Sequence, residues 1–126
     1  MEILNKITYT IIGCAYKVHR SLGPGLLEST YEACLIQEIL NNGLTVKQQV
    51  GLPLVYNGKR LVVGYRIDLL VEDKIIIEIK SVDGINPIHK AQVLTYLKLS
   101  NLRIGLLINF NVINLKEGIY RIINGY

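Results

Sequence analysis

Residues 75–81, Ile75-Ile76-Ile77-Glu78-Ile79-Lys80-Ser81, decide how this chain is read. Five of the seven suit the middle of a buried strand, yet an acid and a base interrupt them. Side chains alternate along a strand, so Ile75, Ile77 and Ile79 face one way while Ile76, Glu78 and Lys80 face the other. Both faces begin apolar, which fits a central strand covered by helices on each side. An unpaired carboxylate there would cost several kcal/mol, so Glu78 must have partners. Lys80, two residues on, is the first.

The second partner comes from the preceding strand, Gly64-Tyr65-Arg66-Ile67-Asp68-Leu69-Leu70-Val71. If residues 72–74 form a three-residue loop, Val71 faces Ile75 and Asp68 falls opposite Glu78, with Cβ atoms roughly 5 Å apart. A two-residue loop would put the acids on opposite faces. Two carboxylates that close raise one another's pKa unless a cation lies between them, and paired oxygen donors suit a hard divalent ion such as magnesium. The plainer alternative is a solvated ladder of surface ion pairs, which would be of little consequence.

Outward from this hairpin the chain reads as one domain over residues 1–126. It is 50% hydrophobic and 19% charged, with no low-complexity stretch or internal repeat, so a single ordered core is expected. Its mean hydropathy is +0.32. The formal charge of +4 permits a polyanionic partner without requiring one. No apolar run approaches the roughly 18 residues that cross a bilayer, so a soluble, cytoplasmic protein with no membrane partner is expected. Ile11-Ile12-Gly13-Cys14 faintly resembles a lipoprotein cleavage box, but the flanking charge and polarity argue against secretion. Cys14 and Cys34 show no CxxC spacing and read as reduced, small hydrophobes.

Ile3, Ile7, Ile11, Ala15 and Val18 recur at helical spacing over residues 2–20, and Gly23-Pro24-Gly25 stops that helix. A second helix is expected over 26–42, ended by Gly43. Residues 44–56 and 59–71 read as strands joined at Asn57-Gly58, the strongest short hairpin signal, with Pro53 marking an edge or bulge. Asn86-Pro87 reads as an N-cap and first helical residue, opening a third helix to about residue 99. Residues 103–110 and 118–123 are the last strands. The order is α-α-β-β-β-α-β-β, an α/β (α+β) mixed sheet flanked by helices, with a strand after the third helix lying parallel to an earlier one.

In the third helix His89, Gln92 and Tyr96 share one stripe, while Ile88, Ala91, Leu94 and Leu97 are expected to pack. In the second, Gly25, Glu28 and Tyr31 are spaced by three. Taken singly each has a bland role: Glu28 at the helix dipole, Tyr31 and Tyr96 as core aromatics, His19 as a capping or packing group.

Gly25-Leu26-Leu27-Glu28-Ser29-Thr30-Tyr31 fits a GxxExxY signature. With the blocks LGPGLLESTYEACL, YRIDLLVEDKIIIEIKS, AQVLTYLK and IGLLINF, nearly the whole chain resembles the GxxExxY protein family, grouped with the PD-(D/E)XK nuclease superfamily. The resemblance implies a restriction-endonuclease-like fold and a metal-dependent nuclease acting on nucleic acid, DNA first. Asp68 matches the metal-binding aspartate, Glu78 and Lys80 the E-x-K pair, Gln92 and Tyr96 the Q-x-x-x-Y element of RecB-like exonucleases, and Glu28 the acid of the leading helix. Asp68 follows Ile67 where the superfamily name has Pro. The implied cofactor is Mg2+ or Mn2+, held by Asp68, Glu78 and the backbone carbonyl of Ile79. Arg66, Lys90 and Tyr31 are the implied nucleic-acid contacts, with Lys47, Lys59, Arg60 and Lys98 as further phosphate contacts or as ordinary solvated cations. A homodimer or larger complex would extend a small substrate surface. The competing reading is a catalytically inactive nuclease-fold module that binds nucleic acid or protein. No P-loop, dinucleotide fingerprint or nucleophile elbow points to a metabolic enzyme.

Overall fold

The protein is described here by a computed structural model covering residues 1–62 and 64–125. Val63, within the second expected hairpin strand, and Tyr126, within the expected domain, lie outside the described residues. Three helices, α1 (Glu2–Leu22), α2 (Glu28–Asn41) and α3 (Pro87–Ser100), accompany seven strands. These are β1 (Val46–Gly51), β2 (Leu54–Tyr56), β3 (Lys59–Leu61), β4 (Arg66–Val71), β5 (Ile75–Lys80), β6 (Ile104–Asn109) and β7 (Ile119–Ile123). A 3-10 turn, Leu115–Gly118, precedes β7. Among the described residues no helix is long and apolar enough to cross a membrane.

The main sheet runs β1-β4-β5-β6-β7, so β5 is central, as its isoleucines require. β5 and β6 pair in parallel across the α3 crossover, and every other neighbour is antiparallel. One face carries α1 and α2 over Ile75, Ile77 and Ile79; the other carries α3 over Ile76 and Leu107. Each fully buried isoleucine contributes about 1.5–3 kcal/mol relative to exposure. This burial offsets the charges that β5 also carries.

Two expected strands break in the middle. Pro53, which can donate no ladder hydrogen bond, separates β1 from β2, and Val62, Gly64 and Tyr65 lie outside any strand between β3 and β4. The expected Asn57-Gly58 turn is present, with φ of +51° and +76°, but its two strands form a separate small sheet. On α3 the packing stripe differs from expectation: Val93, Tyr96 and Leu97 are buried, while Ile88 is 74% exposed and Ala91 lies on the surface. Apolar residues surround α3 on several sides, so periodicity alone could not select its inner face.

The loop between α1 and α2 is fixed by one phenol. Tyr31 is fully buried and stacks on Phe110 at 4.5 Å. Its hydroxyl donates to the Gly23 carbonyl at 2.6 Å and accepts from the Leu26 N–H at 3.1 Å. Ser81, just beyond β5, donates from Oγ to the Leu26 carbonyl at 2.6 Å. The loop is thereby tied to the end of the central strand. Tyr31→Phe leaves two loop groups without partners and is expected to cost about 1–3 kcal/mol, read as a lower urea midpoint at unchanged m-value.

Candidate active site

The turn after β4 sets the register. Val71 pairs with Ile75, Leu70 with Ile76 and Leu69 with Ile77, so residues 72–74 form the three-residue loop that brings Asp68 opposite Glu78. Glu72 and Asp73 both adopt positive φ, and Glu72 is held there by Thr45, whose N–H and hydroxyl donate to its carboxylate at 2.6 and 2.7 Å. Those bonds hold the Glu72 carboxyl below its usual range.

Beyond Leu69 the ladder opens. The backbone partners are replaced by side chains: the Asp68 N–H donates to Glu78 Oε2 at 2.7 Å, and the Ile79 N–H donates to Asp68 Oδ2 at 2.8 Å. On its other side β4 also loses a partner, because the β1 pairing skips Gln49, whose φ is +52°. Asp68 thus sits at a rotation point of its strand. Leu69 and Val71 belong to the core under α1 and α2, whereas Ile67 belongs to the core under α3.

The second oxygens of Asp68 and Glu78 make no hydrogen bond among the described residues and are not sealed from solvent. The Lys80 carbonyl accepts from the Phe110 N–H on the β6 side. Hydrogen-bonding direction alternates along a strand, so the Ile79 carbonyl faces β4 instead, into the opened part of the ladder.

Burial raises the Asp68 carboxyl, with further contributions from Glu32 and Glu28, against lowering by the Ile79 N–H and Lys80. Glu78 is pushed up to about 8, by burial first and by the Asp68 charge second, with Lys80 opposing. Lys80 is half-buried and has no ion-pair partner within the described residues. It is the cation whose charge both carboxyls feel.

α2 adds two more acids. Glu28 Oε2 accepts from the Ser81 N–H at 3.2 Å. Glu32, 8% exposed, accepts from the side-chain amides of Gln48 and Gln49 at 3.1 Å, bracing the edge strand at its kink. Sequence reasoning missed Glu32, Gln48 and Gln49. The available signal was the i, i+4 spacing of Glu28 and Glu32, which places both on one helix face.

From α3 the buried Tyr96 approaches the same center. Burial first, then the charges of Glu78 and Asp68, raise its phenol pKa. Gln92 is half-buried beside it on a shared cavity wall. Two expected contributors, Tyr31 and Lys90, are not brought in, and neither histidine joins the center. Tyr31 is internal, with its hydroxyl spent on the loop, so it leaves no surface for nucleic acid. Lys90 lies 4.5 Å from the Tyr120 ring on β7, across the sheet from β4. His89 closes the α3 capping box by accepting from the Asn86 N–H at 3.1 Å. His19 bonds the Val112 carbonyl at 2.7 Å. Arg66 is exposed at the start of β4, two residues before Asp68.

A family model described as PD-(D/E)XK nuclease superfamily matches residues 5–122. The chain belongs to the PD-(D/E)XK nuclease superfamily. No curated protein and no solved structure gives a match. Superfamily members use divalent metals, and the donor chemistry here fits one. One half-buried and one buried carboxylate offer hard oxygens beside a backbone carbonyl. Among the described residues no cluster of three or more His, Cys, Asp or Glu side chains forms a ready-made cage. Magnesium does not need one, since it keeps several waters and takes one or two carboxylates.

The raised Glu78 pKa has a definite consequence for stability. Between its ordinary 4.5 and about 8 the folded chain keeps a proton that the unfolded chain loses. Stability in EDTA should therefore fall as pH rises through that window, by about 2–4 kcal/mol, and level off above it. The raised Asp68 acts in the same direction, while the lowered Glu72 acts below the window. Urea midpoints measured from pH 5 to 9 should slope downward in wild type and flatten in Glu78→Gln.

Proposed function

We propose that this chain is a metal-dependent nuclease that hydrolyses phosphodiester bonds, with DNA as its first substrate. The observation that carries the reading is the opened β4–β5 ladder, where the half-buried Asp68 meets the buried Glu78 with Lys80 as their shared cation. A surface ion-pair ladder would be solvated, and Glu78 is 5% exposed. A module that only binds phosphate gains nothing from two adjacent acids that repel it.

Asp68, Glu78 and the Ile79 carbonyl would hold magnesium or manganese. Such an ion, when bound, acidifies a water and offsets negative charge on the phosphate. Lys80, as a cation, orients the attacking water, which gives its proton to solvent as its oxygen bonds to phosphorus and the P–O bond to the leaving oxygen breaks. Glu28, anchored by one oxygen to Ser81, can orient a second water with the other. Tyr96 positions the phosphate from the α3 side, with Gln92 beside it, and Arg66 contacts the backbone.

Plasmid and single-stranded circular DNA, each incubated with magnesium and with manganese, test this directly. Wild type should cut at least one of them, and Asp68→Asn, Glu78→Gln and Lys80→Ala should each lower the rate by about 100-fold or more while melting cooperatively. Magnesium should raise the melting temperature of wild type and not of Asp68→Asn. Absence of cleavage together with metal-independent melting would replace this reading with a binding module.

The superfamily pairing also predicts how the two acids divide the work. Restoring charge with Glu78→Asp shortens the reach to the Asp68 N–H. It should recover less than a tenth of wild-type cleavage while retaining metal-dependent stabilisation, as read by parallel rate and melting measurements.

A further inference from the structure

A cavity of about 340 Å3 lies between the β2–β3 hairpin segment and α3, lined by Leu54, Tyr65, Gln92, Thr95, Tyr96 and Leu99. Its volume suits one small ligand group and is far too small for a duplex. Two aromatic rings border it. Tyr65 is 48% exposed, and its ring lies 6.3 Å from that of the nearly buried Tyr96, tilted by 52°. Gln92 and Thr95 spend no side-chain hydrogen bond within the described residues, so an amide donor, an amide acceptor and a hydroxyl remain available. Apolar walls, a half-exposed ring and unspent hydrogen-bonding groups are the complement of a flat heterocycle with polar edges.

The surroundings favour a polyanion. Between Glu38 and Asp68 the sequence contains no acid but has Lys47, Lys59, Arg60 and Arg66. Lys47 is paired with Asp73 at 2.8 Å, while Lys59 and Arg60 stand exposed at the hairpin end and Arg66 follows Tyr65 directly. The cavity also adjoins the proposed reacting center. Tyr96 senses the charges of both Glu78 and Asp68, and Tyr65 precedes Asp68 by only three residues, about 10 Å of extended strand.

We propose that this cavity receives one unstacked nucleobase of the strand being cut, stacked on Tyr65 and contacted on its edge by Gln92 and Thr95. The substrate would then be single-stranded or unpaired nucleic acid in preference to intact duplex. Its place beside the reacting center rests on the nuclease reading, whereas base binding itself does not require hydrolysis.

Anisotropy of a fluorescein-labelled DNA 12-mer, alone and annealed to its complement, tests the pocket in EDTA and again with calcium. An RNA 12-mer of the same sequence shows whether the sugar matters. Wild type is expected to bind the single strand at least tenfold tighter than the duplex. Tyr65→Ala should weaken single-strand binding roughly 5- to 100-fold with little effect on the duplex, and Tyr65→Trp should retain it. Thermal melting of each variant controls for folding. Single-strand affinity of Tyr65→Ala within twofold of wild type, equal affinity for both probes, or no binding at all would overturn the pocket. Discrimination without any cleavage would leave the pocket standing and remove the hydrolytic reading; single-strand cleavage undiminished in Tyr65→Ala would do the reverse.

Discussion

Two side-chain-to-backbone hydrogen bonds hold the center of this molecule open. Asp68 accepts the N–H of Ile79, and Glu78 accepts the N–H of Asp68, so each acid fills a ladder position that the neighbouring strand has vacated. An ordinary antiparallel pair would continue past Leu69 and Ile77 and leave the backbone no free carbonyl. Here the exchange satisfies both buried amides, as burial demands, while keeping an unspent oxygen on each carboxylate. Splayed strands and concentrated acid are therefore one feature.

That feature is unfavourable by itself, and the rest of the fold compensates for it. Glu78 lies in the central strand of the sheet, among isoleucines that α1, α2 and α3 cover completely. Burial makes its charge costly, and Asp68 makes it costlier still. A divalent ion would relieve both effects at once, which is the physical link between an acid in an apolar strand and metal-dependent chemistry. The GxxExxY stretch acts on the same end of the sheet. Gly25 takes φ of +94°, Glu28 meets the Ser81 N–H, and Tyr31 pins the loop from below. Of these three, only Glu28 carries a charge, which Asp68 feels.

The sheet is asymmetric about this center. On the β6 side of β5 the strands pair along their whole length. On the β4 side they diverge, and beyond them the chain leaves the sheet to form the β2–β3 hairpin. The exposed cations Lys59, Arg60 and Arg66 lie on that diverging side, whereas Lys90 is engaged at the opposite edge. An extended polyanion would thus meet the protein where the ladder is already open.

Much of this was legible in the residues alone. The alternation of Ile75 to Lys80 requires a two-sided central strand, and a three-residue loop at 72–74, one of the two lengths weighed, puts Asp68 opposite Glu78. Both follow from the two-residue period of a strand, which depends only on local geometry. Asn57-Gly58 and Asn86-Pro87 likewise carry their turn and cap chemistry with them. Other features required the assembled chain. Glu32 drew no role from the sequence, and only the folded chain brings Gln48 and Gln49 from an edge strand to brace it. Tyr31 and Lys90 looked available until Phe110 and Tyr120, far along the sequence, engaged them. The inner stripe of α3 was ambiguous because apolar residues surround that helix. Sequence period fixes which way a side chain leaves its own strand or helix; which partner it then meets is set by long-range packing, and that no local pattern records.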